Sequence, residues 1–242
     1  MAKYALITGG TKGIGKAVAS CLAQAGYDLV LTYGSDTTGA TAAAAEIRIR
    51  HGVKVDVLQA DISDQQTIER IADYLSDCSL TLDAIVFNAG LTYRKTLEEM
   101  ALSEWERIFF ANVHFPVFLL QRILGQIRSG GSVVFTGSLT AIEPHAMSLA
   151  YGVTKAAVHA LTHNLVKFLA PYNIRVNAVA PGFVDTEWQK NKPLEIRQSI
   201  ESKIAMGRFC TPEEVAGIYK MLIENTYING SIIVADGGYS YK

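Results

Sequence analysis

Two short patterns carry chemistry. Tyr151-Gly152-Val153-Thr154-Lys155 opens a stretch of helical spacing, and an i, i+4 pair there shares one face with Cβ atoms roughly 6 Å apart. A free phenol titrates near pKa ~10, so a Tyr that moves protons near neutrality needs a cation to stabilise its phenolate. Lys155 is placed to be that cation. Taken alone, the pair also fits an amphipathic helix with an exposed Tyr and Lys. The second pattern, Thr8-Gly9-Gly10-Thr11-Lys12-Gly13-Ile14-Gly15, stands between an apolar run and a helix-like segment. Glycines let a backbone approach a pyrophosphate, and the N–H groups of a helix N-terminus face the anion. The spacing departs from the common GxGxxG and by itself also fits a tight βα turn.

Elements of alternating type must hold these patterns. β-branched runs at 5–8, 28–32, 53–59, 82–87, 132–136, 174–179 and 232–234 predict strands, with helical spacing near 14–25, 38–51, 64–76, 103–127, 150–170 and 212–224. Strand alternating with helix predicts a single α/β domain over 1–242: a doubly wound parallel sheet of seven strands with helices on both faces. Ser63-Asp64, Ser103-Glu104 and Thr211-Pro212-Glu213-Glu214 supply cap signals for the third, fourth and last helices. An irregular region from about 181 to 211 is longer than an ordinary connection, and 183–211 reads as a substrate lid with an apolar face of Trp188, Ile196, Ile200 and Ile204.

The patterns gain meaning together. Gly9-x3-Gly13-x-Gly15, Asn88-Ala89-Gly90 after the fourth strand, Asn112 within a helix, Ser138 after the fifth strand, Tyr151-x3-Lys155 and Pro181-Gly182 after the sixth resemble the short-chain dehydrogenase/reductase family in order and spacing. The resemblance implies a Rossmann fold with a nicotinamide dinucleotide across the carboxyl ends of the strands. It also implies Tyr151 as general acid/base, Ser138 as donor to the substrate oxygen, Lys155 as partner of Tyr151 and the nicotinamide ribose, and Asn112 as holder of a relay water. A Ser at a strand end can polarise a carbonyl as charge develops on its oxygen. By the same resemblance the dinucleotide is held by Gly9, Thr11, Lys12, Gly13, Ile14 and Gly15, by Asp61 and Ile62 at the adenine, by Asn88, Ala89 and Gly90, and by Pro181, Gly182, Val184 and Thr186.

Cofactor choice is a question of charge. An acid at the end of the second strand would bind a ribose 2′-hydroxyl and repel a 2′-phosphate. This chain has Tyr33 there, followed by Gly34 and Ser35, with Lys12 in the glycine loop. NADP(H) is therefore expected over NAD(H); Asp36 nearby keeps NAD(H) open. Within the family the likeness runs to 3-oxoacyl-(acyl-carrier-protein) reductases, through Leu91-Thr92, Pro181 to Thr186, Met206-Gly207-Arg208-Phe209 and Asp236-Gly237-Gly238. Ser148-Leu149-Ala150, Tyr93-Arg94 and Tyr172 depart from those enzymes at the substrate rim and the carrier-docking face, which keeps sugar, polyol, steroid and other ketone substrates open. Arg94, Lys95, Lys190, Lys192 and Arg197 either favour an anionic substrate or form a solvated basic rim.

The balance of 22 basic and 23 acidic residues, a net charge of −1, offers no general attraction to nucleic acid or an anionic membrane. Cys21, Cys78 and Cys210 form no framework or metal motif, and Cys21 reads as core. His159 and His163 read as helix-packing residues, roughly 80° and 120° around the helix from Tyr151, and no metal is expected. Apolar sequence begins at once with no signal peptide, and no run is long enough to span a membrane. The expectation is a cytoplasmic enzyme, a homodimer or homotetramer joined through the helices near 103–127 and 150–170, as the resemblance implies.

Overall fold

The computed structural model describes residues 2–144, 148–190 and 192–241. Seven parallel strands, β1 (Lys3–Ile7), β2 (Tyr27–Tyr33), β3 (Val55–Gln59), β4 (Leu82–Phe87), β5 (Ile127–Thr136), β6 (Arg175–Pro181) and β7 (Ile232–Ala235), form one sheet in the order β3-β2-β1-β4-β5-β6-β7. Successive strand side chains point to opposite faces. Leu6, Val30, Ile85 and Val133 therefore enter one buried layer, while Ala5, Ile7, Leu29, Leu31, Val86 and Val134 enter the other. Both layers are apolar, so both need a helical cover.

One layer is covered by α1 (Gly13–Gln24), α2 (Thr37–His51) and α9 (Pro212–Glu224), through residues such as Val18, Leu22, Ile47 and Leu222. The other is covered by α3 (Gln66–Asp77), α5 (Phe115–Arg122) and α6 (Leu149–Leu169), through Ile71, Leu119 and Val158. Strand order runs outward in both directions from β1 and β4, and such a reversal opens a crevice beyond the carboxyl ends of the strands.

The expected helix over 103–127 is in fact composite. It comprises α4 (Leu102–Phe109), a π-helical turn at Phe110–His114 and α5, and it stops at Arg122 because Gly125 precedes the start of β5. Ser103 does not cap it; Ala101 precedes the first turn and Ser103 lies inside it. Asp64 accepts the Gln66 N–H at 2.9 Å from just outside α3. The last helix keeps its expected cap: Thr211 Oγ1 accepts the Glu214 N–H at 3.3 Å while Glu214 accepts the Thr211 N–H at 2.8 Å.

The region expected to be irregular contains α7 (Glu187–Lys190) and α8 (Leu194–Glu201). Its ends are joined: Val184 and Cys210 form a parallel bridge, with Asp185 N–H donating to the Cys210 carbonyl at 2.8 Å and Cys210 N–H to the Phe183 carbonyl at 2.9 Å. The four apolar residues expected on one face separate. Ile204 is buried, whereas Trp188 and Ile196 are about half exposed; Asn191 lies outside the described residues. No helix among the described residues is long and apolar enough to cross a membrane.

Candidate active site

The glycine turn is fastened to the loop after β4 through one threonine. Thr8 Oγ1 accepts the N–H groups of Asn88 (3.0 Å) and Ala89 (3.1 Å), and the Asn88 amide donates back to the carbonyls of Thr8 (3.1 Å) and Gly9 (3.2 Å). Gly9 takes φ +63°, and a Cβ on Gly15 would stand 2.1 Å from the Gly9 carbonyl oxygen. The turn therefore closes only with glycine at both positions. It delivers the N-terminus of α1, which has no acidic residue in its first turn and no side-chain cap from Lys12, into a cleft of about 710 Å³. Open N–H groups and a backbone cradle with no room for side chains fit a dinucleotide's phosphates.

Around this cleft stand Gly9, Lys12, Gly13, Ile14, Tyr33, Asp61, Ile62, Asn88, Ala89, Gly90, Ser138, Tyr151, Lys155, Pro181, Gly182, Val184 and Thr186. Thr11, Gly15, Ser35 and Asn112 are not among the lining residues; Gly15 and Asn112 act from behind the wall. The Ala60 N–H donates to the Tyr33 carbonyl at 2.7 Å, setting the ends of β2 and β3 side by side. Asp61 accepts from the Ser63 N–H (2.8 Å) and hydroxyl (2.7 Å), and these bonds hold its carboxyl below the usual carboxylate range. Asp36, the acid that could have stood for Tyr33, instead caps α2 by accepting the Gly39 N–H at 2.8 Å.

At the other end of the cleft, α6 brings Tyr151 and Lys155 to Ser138. Lys155 is buried; its ammonium donates to the Thr136 carbonyl at 2.6 Å and lies 5.5 Å from the centre of the Tyr151 ring. Burial pushes its pKa down to about 8. Burial also raises the Tyr151 phenol, an effect partly offset by its hydrogen bond with Ser138. The balance favours the protonated phenol, the form that gives a proton away. The Ser138 hydroxyl oxygen accepts from the Thr140 N–H (3.2 Å) and hydroxyl (2.8 Å).

Asn112 lies in the π-helical turn, and its carboxamide bridges two elements. The oxygen accepts the Leu91 N–H at 2.8 Å, while the NH₂ donates to the Leu91 carbonyl (2.9 Å) and Thr154 Oγ1 (3.0 Å). Gly90 keeps the space in front open: a Cβ there would stand 3.3 Å from the Asn112 carboxamide oxygen and 3.5 Å from the Lys155 ammonium.

Three participants escape sequence reasoning. The Thr136 carbonyl is backbone and leaves no signature. Trp188 sets its edge against the Tyr151 ring with centroids 6.4 Å apart. His159, expected off the Tyr–Lys face, is buried beneath Ser138. Its Nε2 stands 3.5 Å from the Ser138 N–H, and a Cβ on Gly137 would approach Nε2 to 2.3 Å. Burial, then the Lys155 and His163 charges, push its pKa down to about 4, so it is a neutral acceptor. The Gly137–His159 pairing was the only available signal, and it needs the fold to be read.

A family model described as Enoyl-(Acyl carrier protein) reductase matches residues 9–240. The chain is 34% identical over 240 residues to a protein named 3-oxoacyl-(acyl-carrier-protein) reductase FabG from Aquifex aeolicus, covering 98% of this chain and 96% of that one. It is 32% identical to Glucose 1-dehydrogenase 2 of Bacillus subtilis, covering 98% and 94%. Among solved structures, a short chain dehydrogenase from Burkholderia cenocepacia in complex with NADP superimposes with a TM-score of 0.92 at 30% identity, covering 98% of each chain.

Proposed function

Because the chain belongs to the short-chain dehydrogenase/reductase family of NAD(P)-binding oxidoreductases, we propose that it uses NADPH to reduce a carbonyl to a secondary alcohol, with Tyr151 giving the proton to the carbonyl oxygen. The observation that carries this reading is the meeting of Tyr151, Ser138 and Lys155 in the same cleft as the glycine turn. A bound nicotinamide supplies the hydride. Ser138 donates to the substrate oxygen as negative charge grows on it, and Tyr151 Oη releases its proton to that oxygen. The phenolate left behind is stabilised by the Lys155 ammonium, since the single Ser138 proton is directed to the substrate oxygen. Asn112 holds the Leu91 loop against α6, and the second lone pair of its carboxamide oxygen is the place for a relay water.

NADP(H) over NAD(H) is supported by Tyr33 at the end of β2, by Lys12 on the cleft and by the commitment of Asp36 to α2. The segment 183–211 is the substrate lid, latched at its base by the Val184–Cys210 bridge. A 3-oxoacyl thioester is the favoured substrate class, supported by the relatives' names. The glucose dehydrogenase relative keeps a sugar or other small ketone as the second reading. Ser148 lines the cleft while Leu149 faces outward, so this departure from carrier-protein reductases reaches the substrate through one small hydroxyl. Exposed Phe118, Leu149, Val153 and Phe168 on α5 and α6 support a dimer or tetramer joined through these helices.

The test is Tyr151→Phe. NADPH affinity should hold while kcat falls roughly 10²-fold or more, the range for loss of a general acid. Unchanged turnover refutes the assignment.

A further inference from the structure

Five basic side chains come from two places in the sequence, Arg94 and Lys95 after β4 and Lys190, Lys192 and Arg197 in the lid, and the fold sorts them. Lys95 pairs with Glu99 at 3.6 Å, and Lys190 pairs with Glu187. Arg197 grips both Asp185 oxygens (3.0 and 3.1 Å) and Glu201 (3.0 Å), and lies 4.4 Å from the centre of the Phe209 ring. None of these three lines the cleft. Arg94 and Lys192 do, and among the described residues neither forms an ion pair.

The two come from different elements, Arg94 from the loop after β4 and Lys192 from the lid between α7 and α8. They are close enough to act on one another: burial, then the Arg94 charge, lower the pKa of Lys192. The acids on the same cleft do not serve them. Asp61 is held by Ser63, Glu187 by Lys190, and Glu143 pairs with neither cation. Two like charges kept unpaired in one concave site repel, and an anion between them removes that cost. Trp188, about half exposed beside Tyr151, offers an apolar surface toward the reacting centre.

We propose that Arg94 and Lys192 form an anion subsite that selects carbonyl substrates bearing a carboxylate or phosphate away from the reacting oxygen. The subsite rests on the carbonyl-reductase reading and narrows it to acidic substrates. The guanidinium fork suits either oxyanion in a two-point contact, while the ammonium adds a point charge.

The test compares matched pairs with NADPH: acetoacetate against its methyl ester, and acetoacetyl-4′-phosphopantetheine against acetoacetyl-N-acetylcysteamine. The charged member of one pair should be preferred in kcat/KM, and Arg94→Gln or Lys192→Gln should cut that preference roughly ten- to hundredfold, mainly through KM. The pair that responds identifies carboxylate or phosphate. Lys95→Gln, paired outside the cleft, should keep the wild-type ratio. Equal ratios in wild type and both variants overturn the subsite, as does a loss of NADPH affinity without a change in ratio. Trp188 fluorescence titrated with acetoacetate or inorganic phosphate reads binding without turnover. Saturable quenching lost in both variants, with no ketone reduced, leaves the subsite standing and removes the reductase reading. Ketone reduction without anion discrimination does the reverse.

Discussion

The Lys155 ammonium is bonded at 2.6 Å to the backbone carbonyl of Thr136, and the hydroxyl of that same Thr136 meets Tyr219 at 2.8 Å. Strand β5 thus fixes Lys155 with its backbone and is itself fixed by α9 through its side chain. Tyr219→Phe leaves the Thr136 hydroxyl without this partner in a buried setting, at a cost of about 1–2 kcal/mol. Urea unfolding should show the loss, and kcat should fall with it if the orientation of Lys155 depends on β5; full retention of both would remove the coupling.

Lys155 carries a pH signature. Its folded pKa of about 8 lies below the ordinary lysine value of 10.5, so the unfolded chain binds the extra proton between those values. Stability should rise with pH across that window, because the cost of burying the charge is present below pH 8 and relieved above it. The same deprotonation removes the cation from Tyr151, so activity should fall above about pH 8 as stability rises. Lys155→Met should flatten this part of the stability profile and lose most of kcat. Stability that falls through the window in wild type would contradict the buried-cation account.

Gly137 and His159 should behave as one unit. An alanine at 137 meets His159 Nε2 at 2.3 Å, so Gly137→Ala should push the imidazole away from Ser138 and lower kcat roughly tenfold. Adding His159→Ala removes the obstacle and should restore part of that loss, the signature of a coupled pair. His159 also has a folded pKa of about 4 against 6.5. Its contribution to stability is present above pH 6.5 and lost as pH falls toward 4, on the order of 1 kcal/mol after allowance for solvent. A His159→Gln variant with an unchanged acid limb would refute this.

Tyr33→Asp should move preference toward NADH by roughly tenfold or more in kcat/KM, since the new carboxylate would repel a 2′-phosphate and accept a 2′-hydroxyl. Steady-state kinetics with both cofactors decide it. A variant that still prefers NADPH to the wild-type degree would show that the phosphate lies elsewhere.

The alternation of strands and helices was legible because each buried strand is a β-branched run ended by turn residues. The first half of β5 was not: Arg128, Ser129, Gly130 and Gly131 belong to no β-branched run, and only pairing of Ile127 with Leu82 and a register shift toward Ala84 make them strand. The π-helical turn at 110–114 has no periodic signature of its own, so one long helix was the natural reading. Tyr151, Lys155 and Ser138 were legible as types at a spacing, yet the direction of the Tyr151 pKa depends on burial, which only the fold supplies. Asp36 was ambiguous until its bond to Gly39 showed which way it turns.

The reversal of strand order between β1 and β4 divides labour along the chain. The glycine turn and the loop bonded to it are complete by Gly90, whereas Ser138, Tyr151, Lys155 and the segment from Pro181 to Cys210 all come later. The latched segment leaves and returns through one two-residue bridge, and its interior is tied back at Thr186, which lies against Gly13, and at Met206, whose N–H donates to the Gly237 carbonyl at 3.1 Å. On the proposed reading of this segment as a substrate lid, new specificities should be graftable between residues 187 and 203, with Thr186 kept beside the glycine turn so that the dinucleotide grip stays as it is.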